Sequence, residues 1–153
     1  MKLLLILAAA LLLALPPVQA DEDVEGLIVK RSPYSVKQTL DRLESALKKK
    51  SITIALRWDH AARARAAGIE LRPTELLVFG NPKLGSHFFT SKQTAGIDLP
   101  MKALAWQDEK GRVWLGYNDP GYLAERHDIE DRAAIVAKMR GALDKLTDIA
   151  VGK

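Results

Sequence analysis

Apolar positions along this chain recur with two periods, and the switches between those periods mark out its elements. Val24 to Arg31 reads as a first strand, ended by Ser32-Pro33. Ser35 then opens a helix, with Gln38 three residues on as a capping-box partner. Val36, Leu40, Leu43 and Leu47 follow at spacings of four, three and four, which puts them on one face and leaves Lys37, Asp41, Arg42 and Glu44 outside. Ile52, Ile54, Leu56 and Trp58 switch to period two, the mark of a strand with one buried face. Asp59 is a natural N-cap for an alanine-rich helix, Ala61 to Ala67, that stops at Gly68.

Pro73 begins an extended segment, and Glu75 to Phe79 forms a short strand ending in Gly80-Asn81-Pro82. A helix is expected over Leu84 to Thr94, closed by Asp98-Leu99-Pro100. Lys102 to Gln107 and Arg112 to Tyr117 flank Asp108-Glu109-Lys110-Gly111, the clearest hairpin in the chain. Pro120 to Arg126 reads as helical, and Asp128 as the cap of a last long helix. In that helix Ile129, Val136, Met139, Leu143, Leu146 and Ala150 form a sheet-facing seam too short for a coiled-coil zipper. The order predicts an α+β domain: a single mixed or antiparallel sheet, continuous or forked at the hairpin, with helices mainly on one face and a long C-terminal helix.

Composition adds an address. Lys2, the apolar run Leu3 to Leu15 and the small-x-small Val18-Gln19-Ala20 fit a secretory signal peptide, residues 1–20, cleaved before Asp21. The run is shorter than the roughly 20 residues that span a bilayer, so residues 21–153 are expected as one exported domain, periplasmic, with no membrane segment after cleavage. Of 23 basic and 19 acidic residues, only Lys2 leaves with the leader, so the mature charge is +3. Lys48-Lys49-Lys50 sits at a helix end, where cations suit the macrodipole, and no aromatic residues interleave with it; no nucleic-acid partner is expected. There are no cysteines, hence no disulfide staple and no thiol chemistry.

Three turns, Gly80-Asn81-Pro82, Asp98-Leu99-Pro100 and Tyr117 to Tyr122, concentrate the candidate chemistry. In Gly80-Asn81-Pro82-Lys83, glycine lets backbone approach closely, Asn81 offers a donor and an acceptor, and Lys83 suits a carboxylate or phosphate. A tight turn whose asparagine satisfies its own backbone is the plain alternative. Tyr117, Asn118, Asp119 and Tyr122 supply aromatic walls and polar groups for the same hollow. The chain is therefore expected to be a periplasmic homodimer that binds a small polar or anionic ligand through Asn81, Lys83, Tyr117, Asn118, Asp119 and Tyr122. An enzyme using His60 or His127 with Asp119 as an acid-base set is an alternative, as is a purely structural homodimeric module. Asp59 can either cap the helix behind it or hold His60. Trp106 and Trp114, facing each other across the hairpin, are core by default and otherwise pocket wall or dimer surface. His60, His87 and His127 have no ligand spacing for a metal, no CxxCH motif offers haem attachment, and no nucleophile elbow, phosphate loop or spaced carboxylate pair occurs. No metal or other cofactor is expected.

Asp59-His60-Ala61, Ala66 to Pro73, Phe79-Gly80-Asn81-Pro82-Lys83, Asp98-Leu99-Pro100, Gly111 to Leu115 and Tyr117-Asn118-Asp119-Pro120, in this order and spacing, resemble the bacterial domain of unknown function numbered 302. The resemblance covers nearly all of the mature chain. It implies a small α+β domain, often exported and able to form homodimers, with no established activity or cofactor. The chain departs from it at Lys49-Lys50-Ser51, where similar members carry glycine, and has Ser86-His87-Phe88-Phe89 where members vary.

Overall fold

The computed structural model describes residues 24–153; the leader expected over residues 1–20 lies outside them. Five strands form one sheet: β1 (Leu27–Ser32), β2 (Thr53–Asp59), β3 (Thr74–Gly80), β4 (Met101–Gln107) and β5 (Val113–Asn118). Their spatial order is β1-β5-β4-β3-β2, continuous and antiparallel at every pairing. The helices are α1 (Val36–Lys49), α2 (His60–Ala66), α3 (Pro82–Ser91), α4 (Pro120–Arg126) and α5 (Ala133–Val151), with a 3-10 turn over Gln93–Ile97.

Strand alternation sorts the side chains by face. Leu77, Phe79, Met101, Ala103, Ala105, Leu115 and Tyr117 point inward and join Leu40, Leu43 and Leu47 of α1 and Leu143, Leu146 and Ala150 of α5 in one core. Ala103 and Ala105 are fully buried. Their small side chains let the two long helices, which also pack on each other, sit close over the middle of the sheet. On the other face Leu104, Trp106, Leu76 and Val78 are only half-buried, and Leu56 is 44% exposed. Trp106 and Trp114 pair in register there. A side-chain carbon on Gly116 would lie 3.0 Å from the Trp106 ring, so that glycine is the floor the indole rests on.

Each edge strand turns one cation inward. Arg57 on β2 binds both carboxylate oxygens of Glu75 at 2.9 and 3.0 Å, Asp41 of α1 at 2.6 Å and Glu44 at 3.3 Å. Glu75, first among these groups, holds the guanidinium charged. Lys30 on β1 reaches Asp144 and Asp148 of α5, both at 2.7 Å. Burial alone would lower the Lys30 pKa, but the two carboxylates raise it. The hairpin between β4 and β5 is stapled by Asp108, which accepts from the amides of Lys110 and Arg112 and from the Trp114 indole at 2.8 Å.

Three boundaries differ from the pattern. β1 starts at Leu27, because Val24 is taken up in a turn that returns the Leu27 amide to its carbonyl. The helix expected over Leu84 to Thr94 starts at Pro82 and ends at Ser91, where the chain tightens into the 3-10 turn. Asp128 is not the cap of the last helix, which begins at Ala133 behind Arg132. Asp128 instead takes the left-handed conformation, φ 52°, and closes α4: its amide reaches the Glu125 carbonyl and the Ile129 amide that of Ala124, a Schellman arrangement. α1 closes the same way, with Ser51 at φ 55° and the Ile52 amide on the Leu47 carbonyl.

Ser51 thus stands in a left-handed position that glycine fills without a side-chain clash, as the resemblance implies for similar members. Replacing Ser51 with Gly is expected to stabilise the domain by about 0.5–1 kcal/mol, read as a raised midpoint in urea unfolding; an unchanged or lowered midpoint would contradict this account of the α1 terminus.

Candidate functional site

β3 and β5 both run antiparallel to β4, so the turns that follow them, at Asn81 and Asp119, lie at the same end of the sheet, one strand apart. The polar side chains of these turns are, however, mostly consumed by the helices they start. Asn81 accepts the Lys83 amide at 3.0 Å as the N-cap of α3, with Pro82 in the first turn. Asp119 does the same for α4, accepting the Gly121 amide at 3.1 Å ahead of Pro120. A cap residue followed by proline at the first helical position is a helix-start signature, and reading it would have predicted both roles.

The remaining members of the expected set are spread out. Asp119 is gripped by the Arg140 guanidinium through both carboxylate oxygens. Arg140, with the Gly121 and Tyr122 amides, holds the Asp119 carboxyl below the usual carboxylate range although burial would raise it. Tyr117 is 2% exposed in the core, and burial pushes its phenol up. Tyr122 lays its ring against Gly26, whose φ of 74° and missing side chain make room for it. Asn118 ends β5 opposite Leu27, and Lys83 is exposed on α3.

The acid-base pairings differ in the same way. Asp59 caps α2 through the Ala62 amide at 2.8 Å, leaving His60 as the first residue of that helix, at the opposite end of the sheet from Asp119. His127 is separated from Asp119 by the whole of α4. Its carboxylate partner is Asp98: Nε2 lies 2.6 Å from Asp98 Oδ2, and Nδ1 lies 3.1 Å from Thr94 Oγ1. The His127 side chain is 7% exposed and that of Asp98 13%, so this chain ties the 3-10 turn to the end of α4. Among the described residues no three His, Cys, Asp or Glu side chains come together as a metal site.

What the structure does build at the Asn81 end of the sheet is a cavity of about 290 Å³, bounded by α3, by α5 and by the adjoining ends of β2, β3 and β4. Its walls are almost entirely apolar: Phe79, Phe89, Leu99, Met101, Met139 and Leu143 are among them. Small residues create the space. Ala55 is the extra residue of a bulge in β2, Ala142 is its α5 wall, and Gly85 lies in α3, where an added side-chain carbon would meet nothing within 4 Å. Gly80 sits against Pro100, with 3.2 Å left for a side-chain carbon, at the cis Leu99–Pro100 bond. Of the six expected ligand-binding residues only Asn81 lines this cavity. Glycines on either side of Asn81-Pro82 were the one trace of it in the sequence.

Comparison with known proteins places these features in a wider set. The family model described as Domain of unknown function DUF302 matches residues 28–146. A protein of Brucella suis biovar 1 named Fluoride-specific ion channel FluC 1 is 44% identical over 114 residues, which is 74% of this chain and 44% of that protein. The Brucella melitensis protein named Fluoride-specific ion channel FluC 2 is also 44% identical over 114 residues, 42% of its length. The chain thus spans less than half the length of these relatives. A crystal structure of an uncharacterized conserved DUF302 protein from Bacillus stearothermophilus superimposes with a TM-score of 0.74 at 19% identity, covering 83% of this chain and 99% of that one; a likeness at that identity shows the fold.

Two outcomes follow from this geometry. Arg140→Gln should move the Asp119 pKa upward toward the ordinary carboxylate value, near 3.9, in a ¹³C-carboxylate NMR titration. Because that pKa is lowered in the folded state, the pair stabilises fully above the ordinary carboxylate range and fades as pH falls below it. With Arg140 half exposed, its share is under about 1 kcal/mol. His127→Ala should cost about 1–3 kcal/mol in urea unfolding, because it removes the closer of the two groups on the Asp98 carboxylate and leaves only Arg126, at 3.5 Å; a change near zero would mean that the contact does not tie the 3-10 turn down.

Proposed function

The chain belongs to the domain of unknown function DUF302 family, and from that premise we propose that it is a ligand-binding module whose ligand is a small apolar molecule or aliphatic chain held between α3 and α5. The observation that carries this reading is the apolar cavity of about 290 Å³. That volume is at the lower end of small-molecule sites, ~300 Å³. Space of this size lined by Phe, Leu and Met gives water few partners, and an apolar guest replaces lost dispersion contacts along the walls. The two methionines, Met101 and Met139, adapt to guests of different shape. Asn81, Thr53 and Ser86 stand in the lining as the few polar groups that could meet a head group. This changes the expected ligand class from polar or anionic to apolar, because Lys83 stays outside the cavity and Asp119 is engaged by Arg140.

The leader-like stretch Met1 to Ala20 supports an exported, periplasmic setting. In the Brucella relatives the shared segment is less than half of proteins named for fluoride conduction. No helix among the described residues is long and apolar enough to cross a membrane. We assign to this segment the binding of a guest on the strength of the cavity.

Calorimetric titration with straight-chain alcohols and fatty acids of increasing length tests the reading. Affinity should rise about fourfold per added methylene, as ~0.8 kcal/mol of burial implies, and level off when the cavity is full. Gly85 lines the space and an added side-chain carbon there meets nothing within 4 Å, so Gly85→Phe should keep the fold and weaken binding at least tenfold. Equal affinity in wild type and Gly85→Phe, or no binding by any member of the series, would refute the assignment.

A further inference from the structure

Taking the apolar cavity as the guest site proposed above, we infer that its guest is a neutral amphiphile, an aliphatic chain whose ester or alcohol oxygen accepts a hydrogen bond from the Asn81 side-chain amide. Fatty-acid anions and alkylammonium ions are excluded from that role. Every described residue that lines the cavity is uncharged, so its walls offer a charged head group no counter-charge. A carboxylate or ammonium taken out of water without a paired charge is strongly disfavoured, whereas a neutral oxygen needs only one donor to replace water.

Asn81 is placed to be that donor. Its backbone is extended, φ −120° and ψ 110°, so it continues the alternation of β3 and returns to the side of the sheet that Phe79 faces. Its Oδ1 accepts the Lys83 amide at 3.0 Å, which orients the side chain and leaves the two Nδ2 hydrogens without a partner among the described residues. Pro82, Gly85, Ser86 and Phe89 all line the cavity, at the spacing of one helix face. A guest with its head at Asn81 therefore runs its tail along that face of α3, between it and Met139 and Leu143 of α5.

The start of a helix would ordinarily offer an anion several amides, but here they are spent. Pro82 has no N–H, the Lys83 amide is on Asn81 Oδ1, and the Leu84 and Gly85 amides each lie 2.9 Å from the Asn81 carbonyl oxygen. Of the cations beside the lining residues, Lys83 is exposed and stays out of the cavity, and Lys102 donates to the Asp98 carbonyl at 2.8 Å. A carboxylate head group would meet one neutral amide and keep its charge unpaired.

Calorimetric titration of the protein at neutral pH with methyl octanoate, 1-octanol, octanoate and octylammonium, and with benzene as a guest that has no head group, tests this. The ester and the alcohol should bind at least tenfold more tightly than either ion. Asn81→Asp keeps an oxygen that caps α3, and with it the melting temperature, but removes both donors. It should weaken methyl octanoate, which can only accept, at least tenfold and leave benzene unchanged; loss of benzene as well would mark the residue as structural and overturn the assignment of the donor. Octanoate binding as tightly as its methyl ester, or methyl octanoate binding Asn81→Asp as it binds wild type, would overturn the inference while benzene still fills the cavity. Failure of benzene and of all four octyl probes would overturn the guest site and the head-group assignment together.

Discussion

Everything in this domain depends on how two long helices are seated on one face of an antiparallel sheet. In the middle the contact is steric: Ala103 and Ala105 on β4 are fully buried, and their size lets α1 and α5 settle together over the central strands. At the edges it is electrostatic. Arg57 on β2 grips α1, and Lys30 on β1 grips α5, each by carboxylates on the helix. These inward cations serve a second purpose, since a charge on the buried face of an edge strand discourages that strand from adding another chain. Protection of the edges and placement of the helices therefore rest on the same two residues.

One-sided cover has consequences at both ends of the sheet. At one end α3 must bridge from β3 to the 3-10 turn, and with Gly80, Gly85, Ala55 and Ala142 on its surroundings it leaves an apolar space against α5. At the other end the tip of the β4–β5 hairpin, the end of β1 and the end of α5 border an open groove. The outer face retains half-buried Leu104, Trp106 and Val78, with the indole of Trp106 resting on Gly116.

The periodic elements were legible because their signals are local. The spacing of Val36, Leu40, Leu43 and Leu47 and the Asp108 to Gly111 loop each set a helix or a hairpin without reference to the rest of the chain. The alternation from Ile52 to Trp58 set a strand but not its single buried face: the bulge at Ala55 leaves Ile54 on the core side opposite Phe79 and turns Leu56 and Trp58 to the other face, opposite Val78 and Leu76. Asp59 was readable as a cap because that signal too is local. Asp128 was not, because aspartate serves equally at a helix start and in the left-handed position that ends one, and only the preceding α4 decides which. The site was read less well than the fold. Asn81 and Asp119 carry the groups a ligand would want, but each precedes a proline that starts a helix, and the amides behind it claim the side chain first. The pairing of His127 with Asp98 rather than Asp119 spans 29 residues and depends on where the 3-10 turn lands. The cavity is defined by atoms that are missing, and no residue pattern announces a void.

A crystal structure under xenon pressure examines the central claim most directly, since xenon enters dry apolar cavities and stays out of wet polar ones. Xenon density between Gly85 of α3 and Met139 of α5, with little movement of either helix, is the predicted result. Ordered water filling that space, or α3 lying collapsed against α5 with no space at all, would contradict it.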